Sequence, residues 1–226
     1  MSFLTIAIPA YERPQLLYEC LKTVIESARG YDVSITVCDD SPDNLNKAVV
    51  DALNCKNFLI NYISNSECLG IDANIKKCFD MATSEYVWVI GEDDHVTPNA
   101  IKNFFASVEH SKPSIIFLNY IYCTNDYKKD LGKKLLSFEN GMNRAMILKE
   151  FYKFGFIGSI AISKRKWALY TSYAPIGTYF HHLSVLGKIL FSEAQCDVAF
   201  LKDISSRNRA EDSDSSSWIE HSLSVH

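Results

Sequence analysis

Apolar, β-branched runs begin near residues 3, 33, 58, 85 and 114, and each consecutive pair is bridged by one segment of helical period. No other feature limits the fold of this chain so tightly. A strand that returns beside its neighbour after a single helix makes a right-handed βαβ crossover, and a succession of these builds an α/β fold. Its central sheet is expected to be mainly parallel and flanked by helices. The runs are Phe3–Pro9, Val33–Cys38, Phe58–Ile63, Glu85–Ile90 and Ser114–Tyr122. The helices between them are predicted over Pro14 to about Ala28, Asp43–Leu53, Gly70–Ala82 and Pro98–Val108. Pro14 suits a first helical turn, and Leu16, Leu17, Cys20, Leu21, Val24 and Ile25 form an apolar stripe behind it.

After residue 122 the rhythm changes. Asn125–Lys134 reads as a polar loop, followed by a helix around Arg144–Phe154 and a glycine-punctuated strand over Phe156–Ser163. A short helix is expected around Trp167, then a loop running into a helix in GTYFHHLSVLGKILF, then a last strand over Ala194–Leu201. The expected organisation is one domain over residues 1–204, with halves 1–122 and 123–204, and a polar, mobile tail over 205–226.

Composition removes several functions. The net charge of −4 supplies no basic field, which excludes nucleic acid as a principal partner. Seven scattered cysteines, odd in number and without a CxxC pair, read as free thiols of a reducing compartment. The N-terminus has no leader pattern, and the longest apolar runs are far too short to span a bilayer. These features predict a cytoplasmic protein.

Ligands of parallel sheets bind beyond the carboxyl ends of the strands, so the loops 9–13, 39–43 and 91–97 are the places for chemistry. Asp39 and Asp40 follow the second strand; Glu92, Asp93 and Asp94 follow the fourth. Such a triplet can be a solvated charge run. Placed directly after a buried strand, its members repel unless a positive charge sits among them, and Mg2+ or Mn2+ with a diphosphate would supply one. The turn Ala10–Pro14 contains neither GxGxxG nor GxxxxGK[ST], which sets the Rossmann and P-loop folds aside.

Four segments together resemble the family-two glycosyltransferases of GT-A fold. IPAYERP at Ile8–Pro14 is similar to their I-P-x-Y-N-R opening, and VCDDSPD at Val37–Asp43 to their V-x-D-D-x-S-x-D element. NSECLGIDAN at Asn65–Asn74 is similar to N-x-G-x-x-x-A-x-N, and YVWVIGEDDHVTP at Tyr86–Pro98 to the strand bearing their DxD motif. Two departures stand out. The second element is one residue short, leaving the choice between Asp39 and Asp40 open, and Gly91 occupies the first acidic position of the common LDxDD pattern. Residues Gly155–Trp167 with GTYFHH further resemble bacterial transferases that add abequose or related sugars in surface-polysaccharide synthesis, either O-antigen or capsule.

The resemblance implies a metal-dependent transfer from a nucleoside-diphosphate sugar to a saccharide or lipid-linked saccharide acceptor, with inversion. The half 1–122 would bind the donor and 123–204 the acceptor. Pro9, Ala10, Tyr11 and Arg13 would line the nucleotide pocket, with Tyr11 against the base and Arg13 near phosphate. Asp39 or Asp40 would accept from base or ribose, Asp93 would be the chief ligand of Mg2+ or Mn2+ at the nucleotide-sugar site, and Glu92 and Asp94 would make ribose or secondary metal contacts. Inverting relatives place an acidic base where this chain has His181 and His182. These are candidate bases or metal ligands, the alternative being two structural histidines at a helix start. Arg207 and Arg209 would belong to a lid over the diphosphate. Family members often run longer, so the chain would be truncated relative to them, with peripheral association at the inner face of the membrane. The rival reading is a non-catalytic nucleotide-sugar binding module of the same fold.

Overall fold

A computed structural model describes residues 2–54, 59–134, 147, 149, 151–192 and 196–209. The first half follows the periodicity closely. Strands β1 (Leu4–Ala10), β2 (Val33–Asp39), β3 (Ile60–Ser64) and β4 (Tyr86–Val89) alternate with helices α1 (Pro14–Ala28), α2 (Leu45–Leu53) and α3 (Ile71–Met81). They pair in parallel in the order β3-β2-β1-β4. Every residue of β1 and β4 is buried, as strands covered by helices on both faces must be.

The two faces divide the core. Leu4, Ile6 and Ile8 of β1, with Tyr86 and Trp88 of β4, pack against α1 and helix α4 (Ala100–Val108). Ala7, Val87 and Val89 point the other way, toward α3 and the helices α5 (Lys164–Tyr170) and α6 (His181–Ser192). Each fully buried large aliphatic side chain contributes about 1.5–3 kcal/mol, so these rows fix the register of the strands and hold their carboxyl ends on one rim.

The second half makes the sheet mixed. Strand β6 (Ile115–Cys123) does not join β4 directly; β8 (Ile160–Ser163) lies between them, antiparallel to both. Strand β9 (Val198–Arg209) runs parallel to β6 and antiparallel to β5 (Asp94–Val96), giving the order β3-β2-β1-β4-β8-β6-β9-β5 among the described residues. Several expectations are revised here. The polar loop 125–134 ends in a strand, β7 (Asp130–Lys134), paired with β6. The strand expected from Phe156 starts only at Ile160, after a 3-10 turn over Ile157–Ser159. Most of the helix expected around Arg144–Phe154 lies outside the described residues, and Phe151–Gly155 is a 3-10 turn. Ser205–Arg209, expected to open a polar tail, instead continue β9 with Ser205 and Ser206 buried. Residues 210–226 lie outside the described residues.

Candidate active site

The carboxyl ends of β1, β2 and β4 meet at one rim, and backbone amides tie them together. Tyr11 N donates to Glu92 Oε2 at 3.0 Å, Glu12 N to Ser41 Oγ at 2.8 Å, and Asp40 N to the Ala10 carbonyl at 2.9 Å. To make these contacts the chain turns through Glu12 at φ 54°, a left-handed conformation uncommon for a residue with a Cβ. Pro9 and Ala10 remain in β1 beneath this turn. The Tyr11 phenol is raised above its ordinary pKa, first by desolvation and then by the neighbouring Glu12.

The two aspartates after β2 separate by role. Asp39 is fully buried, and both of its oxygens are taken: Oδ1 accepts from Ser41 N at 3.0 Å, Ser41 Oγ at 2.6 Å and Asn46 Nδ2 at 3.0 Å, and Oδ2 accepts from Tyr62 OH. It builds the loop. Asp40 reaches outward to the next loop, accepting from Asn65 Nδ2 and from Gly70 N at 3.0 Å. Gly70 sits at φ 79° at the start of α3, where a side chain would be strained.

The acidic turn is joined to β1 by Arg13. Its Nε donates to Glu92 Oε1 at 2.7 Å and its Nη1 to Asp93 Oδ2 at 2.8 Å. Burial pushes the Glu92 carboxyl up to about 7 in spite of this pairing. Asp94, expected as a ribose or secondary metal contact, is buried. Its Oδ2 accepts from Gly91 N at 2.7 Å, its Oδ1 is buried without a hydrogen-bond partner, and burial followed by the adjacent Asp93 holds its pKa well above the carboxylate range. The carboxyl is turned inward, whereas Asp93 keeps a face to solvent. The glycine at position 91 acquires a reason: a Cβ there would come within 2.8 Å of Asp93 Oδ1 and 2.9 Å of Asp94 Oδ2. The folded-back carboxylates fill the space that a first acid of the motif would need.

Asp93 remains partly exposed and is the member of the triplet that faces solvent. No group of three His, Cys, Asp or Glu side chains among the described residues could hold a cation by itself. One exposed carboxylate does fit a cation that arrives with a diphosphate, because Mg2+ and Mn2+ sites of this kind take one or two carboxylates, with phosphate and water completing the shell.

His181 and His182 stand at the start of α6 as expected, but both are buried. The ring of His181 meets the Pro175 carbonyl at 3.0 Å through Nδ1 and Thr171 Oγ1 at 3.2 Å through Nε2, and it packs edge-on against Trp167. His182 Nε2 meets the Gly155 carbonyl at 3.0 Å, and burial pushes this imidazole down to about 4. These are structural contacts, which correct the expectation of a catalytic base. Arg207 is also placed differently: it lies in β9, paired with Asp130 at 2.8 Å, and not in a lid.

Two residues near the rim escaped the sequence. Tyr127, at φ 57° between β6 and β7, donates to the Asp93 carbonyl at 2.6 Å and stacks on His95 with ring centroids 3.4 Å apart. Nothing in the polar segment 125–134 distinguishes it. Asp72, in the first turn of α3, is buried and accepts from Gly177 N at 2.9 Å, Thr178 N at 2.7 Å and His181 N at 3.1 Å. An acid just after a helix-starting glycine is a signal that could have found it.

A mixed sheet of this order, with an acidic turn after β4 facing the β1 and β2 loops, defines a GT-A glycosyltransferase fold. The chain belongs to Glycosyl transferase family 2, whose family model matches residues 5–169. It is similar to the abequosyltransferase RfbV of Salmonella typhimurium, with 23% identity over 199 residues that cover 81% of this chain and 60% of that protein. Among solved structures it is similar to S. aureus TarS 1-349 in complex with UDP-GlcNAc, with a TM-score of 0.75 and 12% identity over 99% of this chain and 61% of that one. It is also similar to the mannosyltransferase PcManGT from Pyrobaculum calidifontis in complex with GDP-Man and Mn2+, with a TM-score of 0.65 and 14% identity over 96% of this chain and 59% of that one. The chain thus spans about 60% of the length of these relatives.

Proposed function

We propose that this chain transfers a glycosyl unit from a nucleoside-diphosphate sugar to an acceptor hydroxyl, with inversion, in the synthesis of a bacterial surface polysaccharide on the cytoplasmic side of the membrane. The observation that carries the reading is the junction of Arg13 with Glu92 and Asp93, which brings the donor-side loops of β1 and β4 together in a chain of this family. Tyr11 packs against the base and Asp40 faces the nucleoside. Arg13 turns to the diphosphate, and Glu92 contacts the ribose. Asp93 would hold Mg2+ or Mn2+, whose charge would offset that developing on the leaving diphosphate. The acceptor oxygen bonds to the anomeric carbon as the carbon–oxygen bond to phosphate breaks, the diphosphate keeping the electron pair and the hydroxyl proton passing to solvent water. One observation favours a second reading, a donor-binding module without transfer. The residues at the family's base position, His181 and His182, are sealed in the core.

Thermal denaturation with UDP, GDP, CDP and dTDP and their sugars, with and without Mn2+, tests the donor site. Ligand at a hundred times its Kd stabilises by about 2.7 kcal/mol, or roughly 5–10 °C for a chain of this size. One nucleotide should give a metal-dependent rise that Asp93→Ala abolishes. An undiminished rise in that variant would remove Asp93 from the site. Sugar release or transfer by the protein that shows the rise separates the catalytic reading from the binding one.

A further inference from the structure

Two of the three acids after β4 are anchored by backbone groups. Glu92 accepts from Tyr11 N, and Asp94 accepts from Gly91 N while its own amide returns a hydrogen bond to the Gly91 carbonyl at 3.1 Å. Asp93 is anchored differently. Its carboxylate is held by Arg13, the residue that turns to the diphosphate in the reaction proposed above. Once that guanidinium moves, the direction of the Asp93 side chain depends on its backbone, and there the Asp93 carbonyl accepts from Tyr127 OH at 2.6 Å.

Tyr127 comes from the second half of the chain, 34 residues further on. The turn that carries it is braced by its own hydrogen bonds. Thr124 N donates to the Lys129 carbonyl at 2.9 Å and Tyr127 N to the Thr124 carbonyl at 2.8 Å. Asp126 Oδ1 accepts from Thr124 Oγ1 at 2.6 Å and from Lys128 N at 3.1 Å. Inside this turn Tyr127 adopts φ 57°, a strained conformation for a bulky side chain. Glycine or asparagine would take that position with less strain, so the turn by itself does not explain a tyrosine. The side chain does. Its ring lies flat on His95, at an interplanar angle of 11°, while its hydroxyl reaches the acidic turn. A second link joins the same elements: His95 stands opposite Arg207 in the β5–β9 ladder, and Arg207 bonds Asp130 of β7. That ion pair is exposed to solvent and contributes little, which leaves Tyr127 as the stronger of the two attachments.

We propose that Tyr127 is a positioning residue for the cation of the donor complex. Through its hydroxyl on the Asp93 carbonyl and its ring on His95, the β6–β7 hairpin sets the Asp93 backbone, so that the carboxylate keeps its direction when Arg13 leaves it. This rests on the donor reading above and deepens it, because a residue of the half expected to serve the acceptor then tunes the donor side. The hydroxyl acts through Asp93 and not on the ligand. Its effect is preorganisation: a turn already ordered before the cation arrives loses less freedom on binding it. One hydrogen bond of this kind corresponds to about fivefold in affinity.

The test is Tyr127→Phe, which keeps the ring and its stacking and removes the hydroxyl. Binding of UDP, GDP, CDP and dTDP to the full chain is measured by titration calorimetry with and without Mn2+, and the gain in affinity that Mn2+ confers is the readout. For the diphosphate that shows such a gain with the wild-type protein, Tyr127→Phe should reduce the gain about fivefold and leave metal-free binding unchanged. Asp93→Ala completes a double-mutant cycle: with the carboxylate gone, removing the hydroxyl should change nothing further. A tyrosine that merely props the rim would lower binding with and without Mn2+ alike, in both backgrounds, and that result overturns the proposal. So does a Tyr127→Phe protein with the full wild-type gain. A wild-type protein that gains nothing from Mn2+ with any of the four, or an Asp93→Ala variant that keeps the gain, overturns the donor reading itself and the role of Tyr127 with it.

Discussion

Arg13 sits where two demands conflict. Its guanidinium neutralises Glu92 and Asp93 through contacts of 2.7 and 2.8 Å, yet the proposed reaction needs Asp93 for a cation and a positive group for the diphosphate. Arg13→Gln separates these demands. A cation on Asp93 with Arg13 still in place would lie roughly 5 Å from the guanidinium. At an effective dielectric of about 20, a divalent cation and the guanidinium at that distance repel by about 7 kcal/mol, and at the dielectric of water by about 1.7 kcal/mol. The Arg13 and Asp93 side chains keep 32% and 28% exposure, so solvent and salt screening bring the figure to about the lower value, roughly 1.5 kcal/mol, near tenfold in affinity. The variant should therefore bind Mn2+ alone about tenfold more tightly, measured by the loss of the free-ion paramagnetic resonance signal. The nucleoside diphosphate without metal should bind at least about tenfold more weakly by titration calorimetry, because a charge-assisted contact to phosphate is gone. Opposite signs are the signature of an arginine that exchanges carboxylate for phosphate. If both affinities fall together, Arg13 only props the loop; if neither moves, the argument from its charge is wrong.

Two further perturbations follow from the same geometry. His182 stays neutral in the folded chain down to about pH 4, while the unfolded chain takes the proton near the ordinary value of 6.5. Stability from this residue is complete above pH 6.5 and is lost as pH falls toward 4, by up to about 3 kcal/mol. Denaturant titrations across that range should show the loss, and His182→Asn should flatten it; an unchanged slope would mean that other groups govern the acid limb. Gly91→Ala puts a Cβ 2.8 Å from Asp93 Oδ1 and 2.9 Å from Asp94 Oδ2. It should cost about 1–3 kcal/mol in urea and remove the metal-dependent thermal shift, whereas a variant keeping both would show that the two carboxylates have room to turn.

The first half of the fold was legible because its signals are local. Pro14 and the stripe behind it specify where α1 starts, and the helix-bridged apolar runs give β1 to β4 and their parallel direction. What was missed depends on partners distant in sequence. Strand β5 has three residues, too few to carry a period, and exists because β9 lies beside it. The end of β9 reads as a polar tail, yet β6 and β5 flank it and supply its hydrogen-bonding partners. The acids stand at the strand ends where sequence put them, but sequence could not separate Asp39, consumed by its own loop, from Asp40, which is bonded to Asn65 and Gly70 of the next loop. It could not show Asp94 folding back on Gly91 either. The histidine pair illustrates the same limit. Position suggested chemistry, and only packing against Trp167, Thr171 and Gly155 shows that the rings are interior.

The pairing of β5 with β9 also bears on how the protein is made. Asp94 lies opposite Asn208, and Thr97 donates to the Ile204 carbonyl 107 residues away. Contacts of such long separation close late, after local helices and neighbouring strands have formed. During synthesis the sheet from β3 to β4 can assemble while the ribosome is still adding the second half. The strand that follows the acidic turn must wait for the chain through Arg209 to emerge. The turn that leads from the acids into β5 is therefore among the last parts of the protein to set, and a nascent chain would carry these acids well before their final strand partner exists.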